Sequence, residues 1–134
     1  MNMNYAVFKN ELRNLYAYER DLFRVKDEID NLTYIMTGVR GISYSKIPAS
    51  SNPEITAEKR LELIEQMEEL ENEKKRLQLN ISHIYSTLSK LNDQDMEIVV
   101  QIIAKKHNAE IVANENGYSK SGIWARIKRE IEKL

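Results

Sequence analysis

The feature that most constrains the fold is a seven-residue repeat of apolar side chains in the middle of the chain. Between residues 63 and 91, eight of nine positions spaced alternately four and three residues apart are apolar, and Lys74 is the exception. This spacing predicts a coiled-coil helix that begins between Pro53 and Ala57 and ends at Leu91. At about 1.5 Å per residue, it would be roughly 50 Å long. The predicted seam consists of Leu63, Met67, Leu70, Leu77, Ile81, Ile84 and Leu88.

A helix of similar length is predicted before it, from Tyr5 to Thr37, because apolar residues recur there at helical spacing. Residues 38–56 contain both prolines and a Ser/Asn cluster, which is typical of a connection that reverses the chain. Two helices of matched length predict a long antiparallel hairpin, and the apolar surface left over predicts a homodimer. Lys74 either fixes the register or partner number of this seam or extends its ammonium to solvent.

Composition favours an all-α protein and excludes several classes of site. The chain has 4 glycines, 2 prolines, no cysteine and 31% charged residues. Disulfides and thiolate metal sites are therefore excluded, and His83 and His107 are too far apart in sequence to suggest a metal site. No nucleophile with a base and no phosphate loop is recognisable. We therefore expect no catalytic residue, metal or cofactor, and an intracellular protein with no membrane partner, because signal-like and long apolar segments are missing.

After the long helix, the pattern changes to three short helices. The first follows a cap at Asn92, Asp93 or Asp95. The second is predicted from Ala109 to Glu115, after a cap at Asn108. Its inward residues are Val112 and Ala113. The third is capped by Ser119 and runs to Leu134, with isoleucines recurring on one side.

The turn between the last two helices carries the strongest functional signal. A small residue at Ala113, a turn glycine at Gly117 and apolar residues at Tyr118, Ile123 and Ile127 reproduce the helix-turn-helix pattern. An ordinary helical hairpin can produce the same pattern, and Asn116 stands where an apolar residue is usual. We thus predict two domains: a helical hairpin for oligomerisation over residues 1–91, and a DNA-binding helix-turn-helix over residues 92–134.

Charge is distributed in a way that suits DNA contact at the C-terminus only. The whole chain has a net charge of -1, but residues 105–134 contain seven basic and four acidic side chains, a net of +3. Residues 93–104 carry a net -3. The last 30 residues are therefore the part of the chain that would bind a polyanion. The alternative is an ordinary solvated helix surface.

The helix-turn-helix interpretation assigns roles to individual side chains. At the start of the last helix and one turn further on, five residues would face the major groove: Lys120, Ser121, Trp124, Ala125 and Lys128. Residues placed for phosphates are Lys105, Lys106, Asn108, Ser119, Arg126 and Arg129. Trp124 has two equal interpretations, since its ring would either be buried against the module or contact a sugar or thymine methyl.

The order of these segments resembles phage transcriptional regulators of the RinA and ArpU type. The resemblance is carried by Gly41-Ile42-Ser43-Tyr44-Ser45-Lys46-Ile47-Pro48, the Ser50-Ser51-Asn52-Pro53 crossover, the long Glu-rich helix and the C-terminal module. The module is also similar to the promoter-reading domain of sigma factors at Ile111-Val112-Ala113, Gly117-Tyr118-Ser119 and Ser121-Gly122-Ile123. This resemblance implies activation of phage late genes at promoter DNA in a bacterial cytoplasm, with RNA polymerase as a further partner.

A second function class fits the long hairpin. A phage interaction protein, such as a packaging adaptor or an inhibitor of a host protein, would use the hairpin as its binding surface. Salt-sensitive DNA binding would distinguish the regulator from this alternative, which predicts a stoichiometric protein partner independent of DNA.

Overall fold

The computed structural model describes residues 4–38 and 55–134, and every regular element within them is helical. The elements are α1 (Tyr5–Arg13), α2 (Leu15–Thr37), α3 (Ala57–Leu88), α4 (Asp93–Val99), a π-helical turn (Val100–Ala104), α5 (Ala109–Glu115) and α6 (Lys120–Glu132). The predicted all-helical class is thus confirmed for these residues. None of these helices has the length and apolarity needed to cross a lipid bilayer. Residues 39–54 of the predicted connection lie outside the described residues.

The first predicted helix is interrupted at Asn14, so the expectation of one helix from Tyr5 to Thr37 is corrected to two. The Asn14 side-chain amide donates to the Asn10 carbonyl at 2.9 Å, and its backbone N–H donates to the Glu11 carbonyl at 3.1 Å. Asparagine readily makes such local bonds, which compete with the regular helical pattern. The chain resumes a helix at once, and the Tyr18 N–H donates to the Asn14 carbonyl.

The second long helix begins at Ala57 within the predicted window and ends at Leu88, three residues earlier than expected. Side chains of the predicted seam are largely inaccessible to solvent. Leu63, Met67, Leu77, Ile84 and Leu88 are buried, and Leu70 and Ile81 are partly buried. Lys74 is partly exposed, with its ammonium 3.9 Å from the Glu71 carboxylate.

The described residues form two compact units. The first contains those of Met1–Glu19 and Leu79–Leu134. Its core joins Phe8 and Leu12 of α1 and Ile84 and Leu88 of α3 to apolar residues of every later helix. The predicted domain boundary before residue 92 therefore falls inside the first unit. The short C-terminal helices bury their apolar faces against α1 and the end of α3.

The second unit is Arg20–Gln78, of which residues 20–38 and 55–78 are described. Met36 of α2 is buried with Leu63 and Met67 of α3, and partly buried side chains surround them. On the surface of this unit, the Arg24 guanidinium lies 2.8 Å from Glu28 and 3.3 Å from Glu73. Side chains of α2 and α3 thus pack together within this unit.

Tyr85 makes a hydrogen bond within the first unit that depends on its protonation. Its hydroxyl donates to a Glu19 carboxylate oxygen at 2.5 Å, and this bond, followed by burial, raises the pKa of Tyr85 to about 12. A folded-state pKa above the ordinary value means that the bond stabilises the fold below about pH 10 and is lost as pH rises through about 12.

Tyr85→Phe is therefore expected to lower the free energy of unfolding near neutral pH by about 1 kcal/mol, since solvent screens a half-exposed bond. Urea denaturation of both proteins at several pH values measures this. The difference between them should shrink as pH rises from about 10 to about 12. A difference that stays constant over that range would contradict the assignment.

Candidate nucleic-acid interface

Helix α5 has the bounds and cap that its sequence predicts. The Asn108 side-chain oxygen accepts hydrogen bonds from the backbone N–H groups of Glu110 at 2.9 Å and Ile111 at 3.3 Å. Two otherwise unpaired N–H groups of the first turn are thereby satisfied. Val112 and Ala113 are buried, as predicted. The Asn108 side chain thus caps α5 as predicted.

Four residues, 116–119, connect α5 to α6. Gly117 has a φ of +79°, a left-handed conformation that favours glycine. The Tyr118 N–H donates to the Ala113 carbonyl at 2.8 Å, and the Asn116 side-chain amide donates to the Val112 carbonyl at 2.8 Å. The unusual Asn116 therefore helps to end α5, because its amide occupies a carbonyl of the last turn.

Helix α6 has one buried face and one exposed face. Its apolar residues Ile123, Ile127 and Ile131 are at most 2% exposed. The Ser119 hydroxyl caps the helix by accepting from the Gly122 N–H at 3.1 Å, so it too is used within the protein. Four of the five residues predicted to read bases are exposed: Lys120, Ser121, Ala125 and Lys128. Their side chains are thus accessible to a ligand.

Arg126, predicted as a phosphate ligand, makes two hydrogen bonds within the protein. Its Nε donates to Asp95 Oδ1 at 2.7 Å and its Nη1 donates to the Tyr118 hydroxyl at 2.6 Å. The hydrogen bond to Asp95 raises the pKa of Arg126. Only 24% of the Arg126 side chain and 4% of the Asp95 side chain are exposed. Arg126 therefore joins α6 to α4 and to the turn, a role that sequence reasoning missed.

The Asp95 carboxylate is held from a second side. Asn92, which caps α4, donates from its side-chain amide to Asp95 Oδ2 at 2.9 Å, and its side-chain oxygen accepts from the Asp95 N–H at 2.8 Å. Both carboxylate oxygens thus have a donor, which is the condition under which a buried charge is tolerated. The sequence predicted Asp95 only as one of three possible caps.

The other cations predicted for phosphates are accessible. Lys105 and Lys106 follow the π-helical turn and are exposed, and Lys106 has a φ of +57°. This left-handed backbone conformation is uncommon for residues other than glycine and asparagine. The Arg129 side chain is 60% exposed and its Nε lies 3.3 Å from Glu130, a surface pair that contributes little to stability. These three side chains remain candidates for contact with a polyanion.

Trp124 is partly buried and packs against the core of the first unit, and one face of its ring is covered by a cation from another helix. The Nζ of Lys9 in α1 lies 4.4 Å from the centroid of the Trp124 ring and 5.6 Å from that of the Tyr5 ring. Attraction between an ammonium and an aromatic face is strongest for tryptophan. Lys9 therefore belongs to the same surface as α6, and no local sequence signal indicated this.

The chain has no significant match among protein-family models, curated proteins or solved structures.

Proposed function

We propose that the chain is a sequence-specific DNA-binding transcription regulator, in which α5 and α6 form a helix-turn-helix and α6 enters the major groove. The observation that carries the proposal is the exposed face of α6 opposite its buried isoleucines. That face starts directly after a four-residue turn that contains the left-handed Gly117, and the preceding helix α5 buries Ala113. Such a helix can be inserted into a groove without disturbing the core.

The exposed side chains suit base edges. Lys120 and Lys128 supply ammonium donors for guanine O6 or N7, Ser121 supplies a hydroxyl, and the Ala125 methyl can contact the methyl of thymine. Lys105, Lys106 and Arg129 would bind phosphates, which orient a protein on the duplex without reading its sequence. The resemblance to RinA and ArpU regulators extends this proposal. It implies that the DNA is a phage late promoter and that RNA polymerase is a further partner.

The protein would act as a homodimer through a helical hairpin. Because the net charge of the chain is only -1, a single helix-turn-helix would bind DNA weakly. Two linked helix-turn-helix domains bind more tightly, because the first contact raises the effective concentration of the second domain at the DNA. Packing of Met36 against Leu63 and Met67 supports α2 and α3 as the hairpin. In the same unit, Phe23 is 76% exposed and Leu61 59% exposed, so apolar surface remains for a second copy. Light scattering should give twice the 15.7 kDa chain mass.

Lys120→Ala and Lys128→Ala are each expected to weaken binding to the selected duplex by about tenfold or more, within the ~1–3 kcal/mol of a good base contact. The duplex is obtained by selection from a random pool, and mobility shifts measure the affinity. Lys75→Ala is the control, because Lys75 is also an exposed lysine and belongs to the other unit. Absence of any shift at low salt would exclude the proposed function.

The second candidate is a phage interaction protein, a packaging adaptor or an inhibitor of a host protein. The same exposed Phe23 and Leu61 favour it, because they would also fit a different protein partner. Isolation of one stoichiometric partner that is retained after nuclease treatment, from a chain that fails to shift DNA, would support this candidate over the regulator.

A further inference from the structure

Helix α1 lies against α6 although the two are far apart in sequence. Phe8 and Leu12 of α1 are fully buried in the core that contains Ile123, Ile127 and Ile131. The helix also starts at a defined point, since the Asn4 side chain accepts from the Val7 N–H at 3.2 Å. The backbone at Lys9, next to Phe8, is therefore held in place beside α6.

The Lys9 ammonium is directed to the middle of the proposed reading helix. Trp124, which it covers, lies one helical step of four residues after Lys120 and one before Lys128. Residues at this spacing share a helix face. Three ammonium groups from two helices are thus associated with one side of α6.

The rings that hold Lys9 leave its charge intact. Among residues 4–38 and 55–134, Lys9 contacts the faces of Trp124 and Tyr5 and forms no ion pair with a carboxylate. A cation on an aromatic face is attracted by the ring quadrupole and is not neutralised by it. Its remaining N–H donors can bind an anion, in contrast to the guanidinium of Arg126 with its carboxylate partner.

We propose that Lys9 binds a backbone phosphate of duplex DNA at the edge of the groove occupied by α6, with Trp124 and Tyr5 as the platform that positions its ammonium. The proposal rests on the proposed DNA-reading function and extends the interface beyond the C-terminal helices to α1. In this arrangement Trp124 does not read a base with the covered face of its ring, and its role is to hold a phosphate ligand.

The test compares Lys9→Gln, Lys9→Arg and Lys75→Gln in the full chain, using a fluorescein-labelled duplex of random sequence. Each phosphate contact contributes about 0.9 to the slope of log affinity against log salt concentration. Lys9→Gln should reduce the slope by about that amount for each bound protomer and weaken binding equally for duplexes of different sequence. Lys9→Arg should keep the slope, and Lys75→Gln should leave it unchanged.

A second measurement on the unaltered chain does not depend on how a variant folds. Lysines are acetylated with and without the duplex, and mass spectrometry gives the rate at each site. Bound DNA should protect Lys9 and leave Lys75 unprotected. An unchanged slope for Lys9→Gln together with no protection of Lys9 would overturn the inference while the regulator proposal stands. Equal slope reductions for Lys9→Gln and Lys75→Gln would also overturn it, and absence of binding by the unaltered chain at low salt would remove both.

Discussion

Phe8→Ala is expected to lower the free energy of unfolding by about 3–5 kcal/mol, the usual cost of removing a buried phenyl ring. Phe8 is fully buried where α1 shares its core with α3, α4, α5 and α6. Because natural domains are stable by only about 5–15 kcal/mol, much of the margin would be lost. Urea denaturation followed by circular dichroism measures the change.

The chain supplies its own control, since it contains only two phenylalanines. Phe23 is 76% exposed, so Phe23→Ala should leave the stability of a protomer nearly unchanged. The same argument predicts that residues 92–134 alone remain largely unfolded, because they lack the buried side chains of α1 and α3. Cooperative unfolding of that fragment, or similar losses for both phenylalanine variants, would contradict this account of the core.

Asp95→Ala is expected to lower the free energy of unfolding by about 2–3 kcal/mol, somewhat less than the 3–5 kcal/mol found when one partner is removed from a fully buried pair. The substitution removes the counter-ion of the Arg126 guanidinium, whose side chain is partly buried. Since this pair joins α6 to the start of α4, DNA affinity should fall as well. Denaturation and mobility shifts measure the two effects separately.

Two comparisons test whether the effect of Asp95→Ala is specific to the Asp95–Arg126 ion pair. Glu28→Ala breaks an ion pair of nearly the same length, 2.8 Å, between exposed side chains, so no measurable loss is expected. Adding Arg126→Met to Asp95→Ala should recover part of the stability, because no partly buried guanidinium is then left without a counter-ion. Equal losses for Asp95→Ala and Glu28→Ala, or no recovery in the double variant, would contradict the role of the pair.

Local features of the fold could be predicted from the sequence. The bounds of α5 and the caps at Asn108 and Ser119 are as expected, because a cap and the N–H groups that it satisfies lie within three residues. The buried faces of α5 and α6 follow from their periodicity. Ser121, Ala125 and Lys128 lie on the side of α6 away from its isoleucines, so their exposure also needed only local information.

The contacts that position the candidate site were not predictable in this way. Asp95 and Arg126 are separated by 31 residues, and Lys9 by more than a hundred from Trp124. Their periodicities place each on its own helix but give no information about which helices pack together. Both long-range pairs form because the apolar faces of α1, α4 and α6 share one core. The predicted division at residue 92 differed from the compact units for the same reason.

The π-helical turn Val100–Ala104 has a consequence for tracing the ancestry of this chain. Its defining bond, from the Lys105 N–H to the Val100 carbonyl at 2.9 Å, encloses one residue more than an α-helical bond. A π-turn of this kind is therefore equivalent to a single-residue insertion in an otherwise regular helix. A descendant of the same ancestor with an ordinary α-helix here would align with this chain only after a one-residue gap between Val99 and Lys105. Without that gap, every capping and exposed position of α5 and α6 would be compared with the wrong residue of the relative.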